Sequence, residues 1–132
     1  MLATAADRSA IASRWGEDRL VVVALCAAWC DTCAEFRRAF ERIAAKRPDA
    51  LFVWLDIEDD AAICGEVDVE NFPTLAIYRG AAPLHYGVSL PQEATVARLV
   101  DEMAARRDPL QDAPAPVLGL PRAMSKNRAG GR

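Results

Sequence analysis

Leu20 to Cys26 (LVVVALC) is an unbroken apolar run, rich in β-branched side chains. A strand with one wet face alternates polar and apolar residues, so a run without alternation reads as a strand covered on both faces. Such a strand demands helices on either side of a sheet, and the flanking sequence supplies them. Ala34 to Lys46 sets Phe36, Phe40 and Ile43 on one helical face, with Arg37, Arg38, Glu41 and Arg42 turned away, before Pro48 breaks the pattern. Leu51 to Ile57 (LFVWLDI) is a second buried strand. Asp59 to Glu66 reads as a short helix with Asp59 and Asp60 in its first turn, the sign its dipole favours. Thr74 to Arg79 and Leu84 to Tyr86, separated by Gly80 and Pro83, form a hairpin, and Gln92 to Arg106 returns to helical spacing through Val96, Leu99, Val100 and Met103. Ahead of all this, Thr4 to Trp15 is predicted as a helix capped by Thr4 and closed by Gly16. Only Met1 to Ala3 precede it, so a first strand is missing or reduced. The order α-β-α-β-α-β-β-α predicts an α/β fold: a central mixed sheet of about four strands, flanked by helices on both faces.

Length limits this architecture to one domain, since 132 residues suffice for a single core. The composition shifts after Arg107. Residues 109–132 hold Pro109, Pro114, Pro116 and Pro121 and three of the seven glycines, which predicts a domain over 1–108 followed by a disordered, Pro/Gly-containing basic tail over 109–132. Arg122, Lys126, Arg128 and Arg132 against Asp112 leave the tail at +3 and the body at −6, for a net charge of −3. No global positive field steers such a chain to nucleic acid, and no apolar run approaches the ~20 residues of a membrane span. Asp7, Arg8 and Arg14 interrupt the N-terminus where a secretory signal needs an apolar block. The expectations are a cytoplasmic monomer that binds neither nucleic acid nor membrane.

The four cysteines, Cys26, Cys30, Cys33 and Cys64, are too few for a disulfide scaffold, so their clustering points to redox chemistry or metal binding. Trp29-Cys30-Asp31-Thr32-Cys33 lies where the first buried strand hands over to an amphipathic helix. Two cysteines at this spacing on a first helical turn can close a disulfide, and the first sits among unpaired N–H groups at the positive end of the helix dipole. Cys30 is therefore the candidate nucleophile and Cys33, usually the more buried of such a pair, the resolver. Further on, Asn71-Phe72-Pro73-Thr74 leads into a strand, where a proline belongs at the entrance because it cannot donate to the ladder, and where a cis X–Pro bond can form.

WCDTC after a β run, a second β-α segment, and then FPT opening a hairpin with Gly80 and Gly87 resembles the thioredoxin family over roughly residues 8 to 106. The resemblance implies a thiol–disulfide oxidoreductase that reduces protein disulfides through a Cys30–Cys33 redox-active disulfide, with no other cofactor and no metal. It implies a cis Pro73 facing the dithiol, and a substrate groove formed by Trp29, Phe72, Pro73, Thr74 and Gly87. It also implies disulfide-containing proteins as substrates and a thioredoxin reductase as electron donor.

Some positions depart from the family pattern. Asp31-Thr32 stands where ordinary thioredoxins carry Gly-Pro, and an anion beside Cys30 opposes its ionisation, which favours a reductant over an oxidant. Ala24 and Trp54 occupy the places of the family's buried aspartate and its lysine partner, so Cys33 loses its usual proton acceptor. Arg38 replaces the proline that kinks the family's second helix, which predicts a straighter one. The remaining cysteines receive structural readings: Cys26 as a small buried apolar residue sharing a face with Val22 and Ala24, Cys64 as a packed thiol. Trp54 is read as core, and His85 as remote from the dithiol. Asp56, Glu58, Asp59 and Asp60 are read as a strand end meeting a helix, without a metal. Two other functions compete with the reductase: a non-enzymatic binding or chaperone-like module using the groove around Phe72 and Pro73, and an iron–sulfur carrier using the C-x3-C-x2-C spacing of Cys26, Cys30 and Cys33.

Overall fold

A computed structural model describes all residues except 1, 5–6, 17, 28, 65–68, 70, 107, 112 and 130–132. In chain order the elements are β1 (Leu2–Thr4), α1 (Arg8–Arg14), β2 (Leu20–Cys26), α2 (Asp31–Lys46), β3 (Leu51–Asp56), α3 (Ala61–Cys64), β4 (Thr74–Arg79), β5 (Ala82–Val88), α4 (Glu93–Ala105) and α5 (Ala115–Ala129). The sheet has five strands in the order β1-β3-β2-β4-β5. β1, β3 and β2 run parallel, and β4 and β5 are antiparallel.

The unbroken apolar run becomes the middle strand, and all seven of its side chains are buried. Strand alternation sends Leu20, Val22 and Ala24 to one face and Val21, Val23 and Leu25 to the other. On the first face α2 and α4 supply Phe36, Phe40, Val96 and Val100, which pack with Phe52, Leu75 and Ile77 from the sheet. On the second, Ile11, Ile63, Val117 and Leu120, from α1, α3 and α5, cover Val53, Leu55, Ala76 and Tyr78. The three-layer architecture is the one the sequence predicts, with one strand more.

That additional strand is β1. Leu2, Ala3 and Thr4 pair in parallel with Phe52, Val53 and Trp54, so the first strand is present in reduced form. Three residues are too few to display a period, and only the exposed edge of β3 organises them. Thr4 accordingly belongs to β1 and does not cap α1; its backbone N–H donates to Asp7 Oδ2 at 2.9 Å. α1 starts at Arg8, four residues later than expected. α3 begins at Ala61, two residues later than predicted, and the expected continuation to Glu66 falls outside the described residues. Arg38 lies within a continuous α2.

The second correction concerns the tail. Residues 109–132 were expected to be disordered, yet Ala115–Ala129 form α5, which buries Val117 and Leu120 in the second core. Composition missed this helix because its apolar residues do not gather on one face and a proline, Pro121, lies inside it. A proline has no N–H to donate four residues back, so the Val117 carbonyl loses its helical partner. The buried Tyr78 hydroxyl donates to that oxygen at 2.8 Å. The sheet thus completes a hydrogen bond the helix cannot make, and the face left bare by α1 and α3 is closed.

Candidate functional site

β2 ends at Cys26 and α2 begins at Asp31, so the WCDTC segment is the junction between the central strand and the helix over it. Cys30 occupies the N-cap with extended backbone (φ −91°, ψ 117°), and its carbonyl accepts the first bond of the helix, from Ala34 N–H at 3.1 Å. The Cys30 N–H in turn donates to Ala27 O at 3.0 Å, which folds the chain back from the strand end. The cap explains why α2 starts at Asp31, ahead of the apolar periodicity: Cys30 and Asp31 make its first turn without contributing to its buried stripe.

Cys30 is half-buried and carries a free thiol, while Cys33, on the inward face of the first turn with Phe36 and Phe40, is 1% exposed. The disulfide in this structure joins Cys33 to Cys26, with the two Cα atoms 5.9 Å apart, and does not join Cys33 to Cys30 as the sequence led one to expect. This also corrects the reading of Cys26 as a merely apolar filler. The alternation that puts Val22 and Ala24 under α2 puts Cys26 there too, at the strand end directly below the first turn of the helix. That alternation, joined to the inward period of Cys33, Phe36 and Phe40, was the signal available in the sequence. The loop closed is short, with the cysteines seven residues apart.

Of the expected groove residues, the structure brings Trp29 and Phe72 into contact, while Pro73 and Thr74 open β4 and Gly87 lies near the end of β5. Trp29 is 64% exposed, and its ring meets that of Phe72 edge-on, with centroids 5.4 Å apart. The Phe72–Pro73 bond is cis. Pro73 is buried, and its carbonyl accepts from Ser89 N–H at 3.0 Å; the Thr74 hydroxyl donates to Asn71 O at 2.7 Å, fixing the turn into β4. Thr74 pairs with Leu25, so Pro73 enters the sheet at the Cys26 end of β2. Gly87 lies across from Leu75 on β5, and a methyl group added there would be 3.7 Å from His85 Nε2, an ordinary contact.

Ala24 is fully buried and pairs in register with Trp54, an apolar pair on the face of the sheet that α2 covers. Trp54 packs with Phe36 and Phe40 and lies under the Arg37 guanidinium at 5.0 Å, an arrangement of core and cation–π contacts. The acidic run is a folded turn: Asp56 Oδ1 accepts from the Glu58 and Asp59 N–H groups, each at 2.8 Å, and Asp60 Oδ2 accepts from Asp56 N–H at 2.7 Å. Cys64 is buried on the opposite face of the sheet from Cys26. Burial, followed by the charges of Asp60 and Asp56, pushes its thiol up to about 12. Among the described residues, no group of three His, Cys, Asp or Glu side chains is arranged to hold a metal ion, and no helix is long and apolar enough to cross a membrane.

A mixed five-stranded sheet whose central strand runs into a cysteine-capped helix, with a cis-proline loop alongside, defines the class of thioredoxin-fold proteins. The chain belongs to the thioredoxin family, whose "Thioredoxin" model matches residues 3–103. Thioredoxin-2 of Saccharomyces cerevisiae is 36% identical over 63 residues, covering 48% of this chain and 61% of that protein. Thioredoxin of Ophiophagus hannah is 30% identical over 67 residues, covering 51% of this chain and 64% of its own length. The matches thus span a little under two thirds of these relatives. Among solved structures, oxidised thioredoxin from Plasmodium falciparum superposes with a TM-score of 0.64 at 17% identity, covering 80% of this chain and 100% of that one. Malassezia sympodialis thioredoxin gives 0.65 at 20%, covering 80% and 92%. At such identities the structural matches speak to the fold.

Proposed function

We propose that the protein reduces disulfides in other proteins through Cys30 and Cys33, in the cytoplasm and as a monomer. The observation that carries this reading is the free, half-buried Cys30 at the N-cap of α2, beside the exposed Trp29 and the Phe72–Pro73 turn, with Cys33 one helical turn inward. With Cys33 reduced, the Cys30 sulfur attacks one sulfur of the substrate disulfide; that bond breaks, and the departing sulfur takes a proton. The Cys33 sulfur then attacks Cys30, the second substrate thiol leaves, and the protein retains the disulfide while the substrate has gained two electrons and two protons. Trp29, Phe72, Pro73, Thr74 and Gly87 hold the substrate backbone along the turn. No metal enters, and a thioredoxin reductase is the proposed source of electrons.

The direct test is insulin disulfide reduction driven by dithiothreitol. Turnover above the dithiothreitol background that disappears in Cys30→Ser supports the reading, and background rates for both proteins refute it. The bond between Cys33 and Cys26 favours one competitor, a groove-binding module in which Cys33 stays tied up and Cys30 is incidental. Such a module would retain its binding function in Cys30→Ser.

A further inference from the structure

We propose that Cys26 is a third redox residue of this site, and that Cys33 passes its disulfide between Cys30 and Cys26. The inference rests on the dithiol reading above and extends it. Three sulfurs are carried by the β2–α2 junction. Cys26, the last residue of β2, reaches up toward α2; Cys33 reaches down from the first turn and is bonded to it. Cys30 is the N-cap and Cys33 the third helical residue, the two positions whose side chains and backbone meet in N-terminal capping. Cys33 therefore lies between a buried partner and a half-buried one, and its sulfur can bond only one of them at a time.

The exchange balances within the chain. The Cys30 thiolate attacks Cys33 Sγ, the Cys26–Cys33 bond breaks, the Cys30–Cys33 bond forms, and Cys26 leaves as a thiolate that takes up the proton Cys30 gave away. The number of disulfides is unchanged, so no outside oxidant or reductant is needed. Run in the other direction after a substrate has been reduced, the exchange moves the new disulfide inward and returns Cys30 to the free thiol. Both buried sulfurs belong to residues only 1% exposed, so a reductant in solution reaches the stored bond through Cys30 alone. Cys64, on the far face of the sheet, takes no part and serves as an internal control.

The first test oxidises the full-length protein with diamide, quenches it in acid, and blocks free thiols with N-ethylmaleimide. Chymotrypsin after Trp29 and Asp-N protease before Asp31 then separate the three cysteines for mass spectrometry. Maleimide on Cys30, with Cys26 linked to Cys33, is the expected map; a Cys30–Cys33 link with maleimide on Cys26 overturns the proposal. The second test follows reduction of the mapped bond by dithiothreitol. If about nine tenths of the oxidised protein holds the buried bond, only about one tenth presents Cys30–Cys33, so Cys26→Ala is re-reduced, and turns over insulin, about tenfold faster than the parent. Loss of the entry point in Cys30→Ser leaves the buried bond resistant to dithiothreitol. Equal rates of dithiothreitol reduction for the parent and Cys26→Ala, equal insulin turnover above background, or wild-type reduction in Cys30→Ser, overturn the relay. Background insulin turnover in both parent and Cys26→Ala refutes the reductase reading alone, because the thiol map and the Cys30→Ser reduction rate still decide the exchange.

Discussion

Tyr78 is a single residue on which two elements depend. Its ring lies 5.4 Å from that of Trp15, and its hydroxyl caps the Val117 carbonyl that Pro121 leaves without a helical donor. Burial raises the hydroxyl's pKa, which keeps it a donor at any physiological pH. Removing the hydroxyl strands a buried carbonyl, and the cost of such an orphan is about 1–3 kcal/mol. Tyr78→Phe is therefore expected to lower stability to urea by about that amount. In a Pro121→Ala background, where the helix supplies its own N–H, the same substitution costs measurably less. A double-mutant cycle by urea denaturation reads the difference, and equal costs in the two backgrounds would disprove the coupling.

Among the elements, α5 owes its order to what it covers. Tertiary burial, rather than intrinsic propensity, stabilises most helices, and this one carries a proline and a glycine in its interior. Its anchors are Val117 and Leu120, each 1% exposed, against a face that Ile11 and Ile63 only partly close. Leu120→Ala leaves a void in that layer and should destabilise the protein by about 2–5 kcal/mol, read as a lower urea midpoint. Insulin turnover under native conditions is expected to survive, because Leu120 lies on the face of the sheet opposite α2 and the dithiol. A midpoint that does not move would mean that α5 contributes nothing to the fold.

The whole molecule shares one sheet between two cores, and its pH dependence follows from a group left on the edge strand. His85 on β5 is half-buried, and its Nε2 is buried without a hydrogen-bond partner among the described residues. Burial, with the Arg106 charge second, lowers its pKa below the ordinary 6.5. The unfolded chain consequently binds a proton at His85 that the folded chain refuses, so stability is full above about 6.5 and falls as the pH drops through that value. Urea midpoints at pH 7.5 and 5.5 should decline for the parent and decline less for His85→Gln. An identical decline in both would assign the effect to other groups.

The central strand, the α2 stripe and the β4–β5 hairpin were legible because each is long enough to show its period. The WCDTC and FPT segments were legible because their chemistry has few alternative uses at those places in the β-α order. β1 and α5 were hidden for one reason: neither carries enough local signal to form alone, and both depend on an edge or face made by residues distant in the chain. The choice of disulfide was decided the same way. Spacing pointed Cys33 to Cys30, with Cys26 read as a packed residue, and the position of the end of β2 beneath the first turn of α2 selected Cys26 instead. Local periodicity and motif determined the layers and the place of the WCDTC turn; what seals the second face, and where the disulfide rests, followed from contacts between elements distant in the chain.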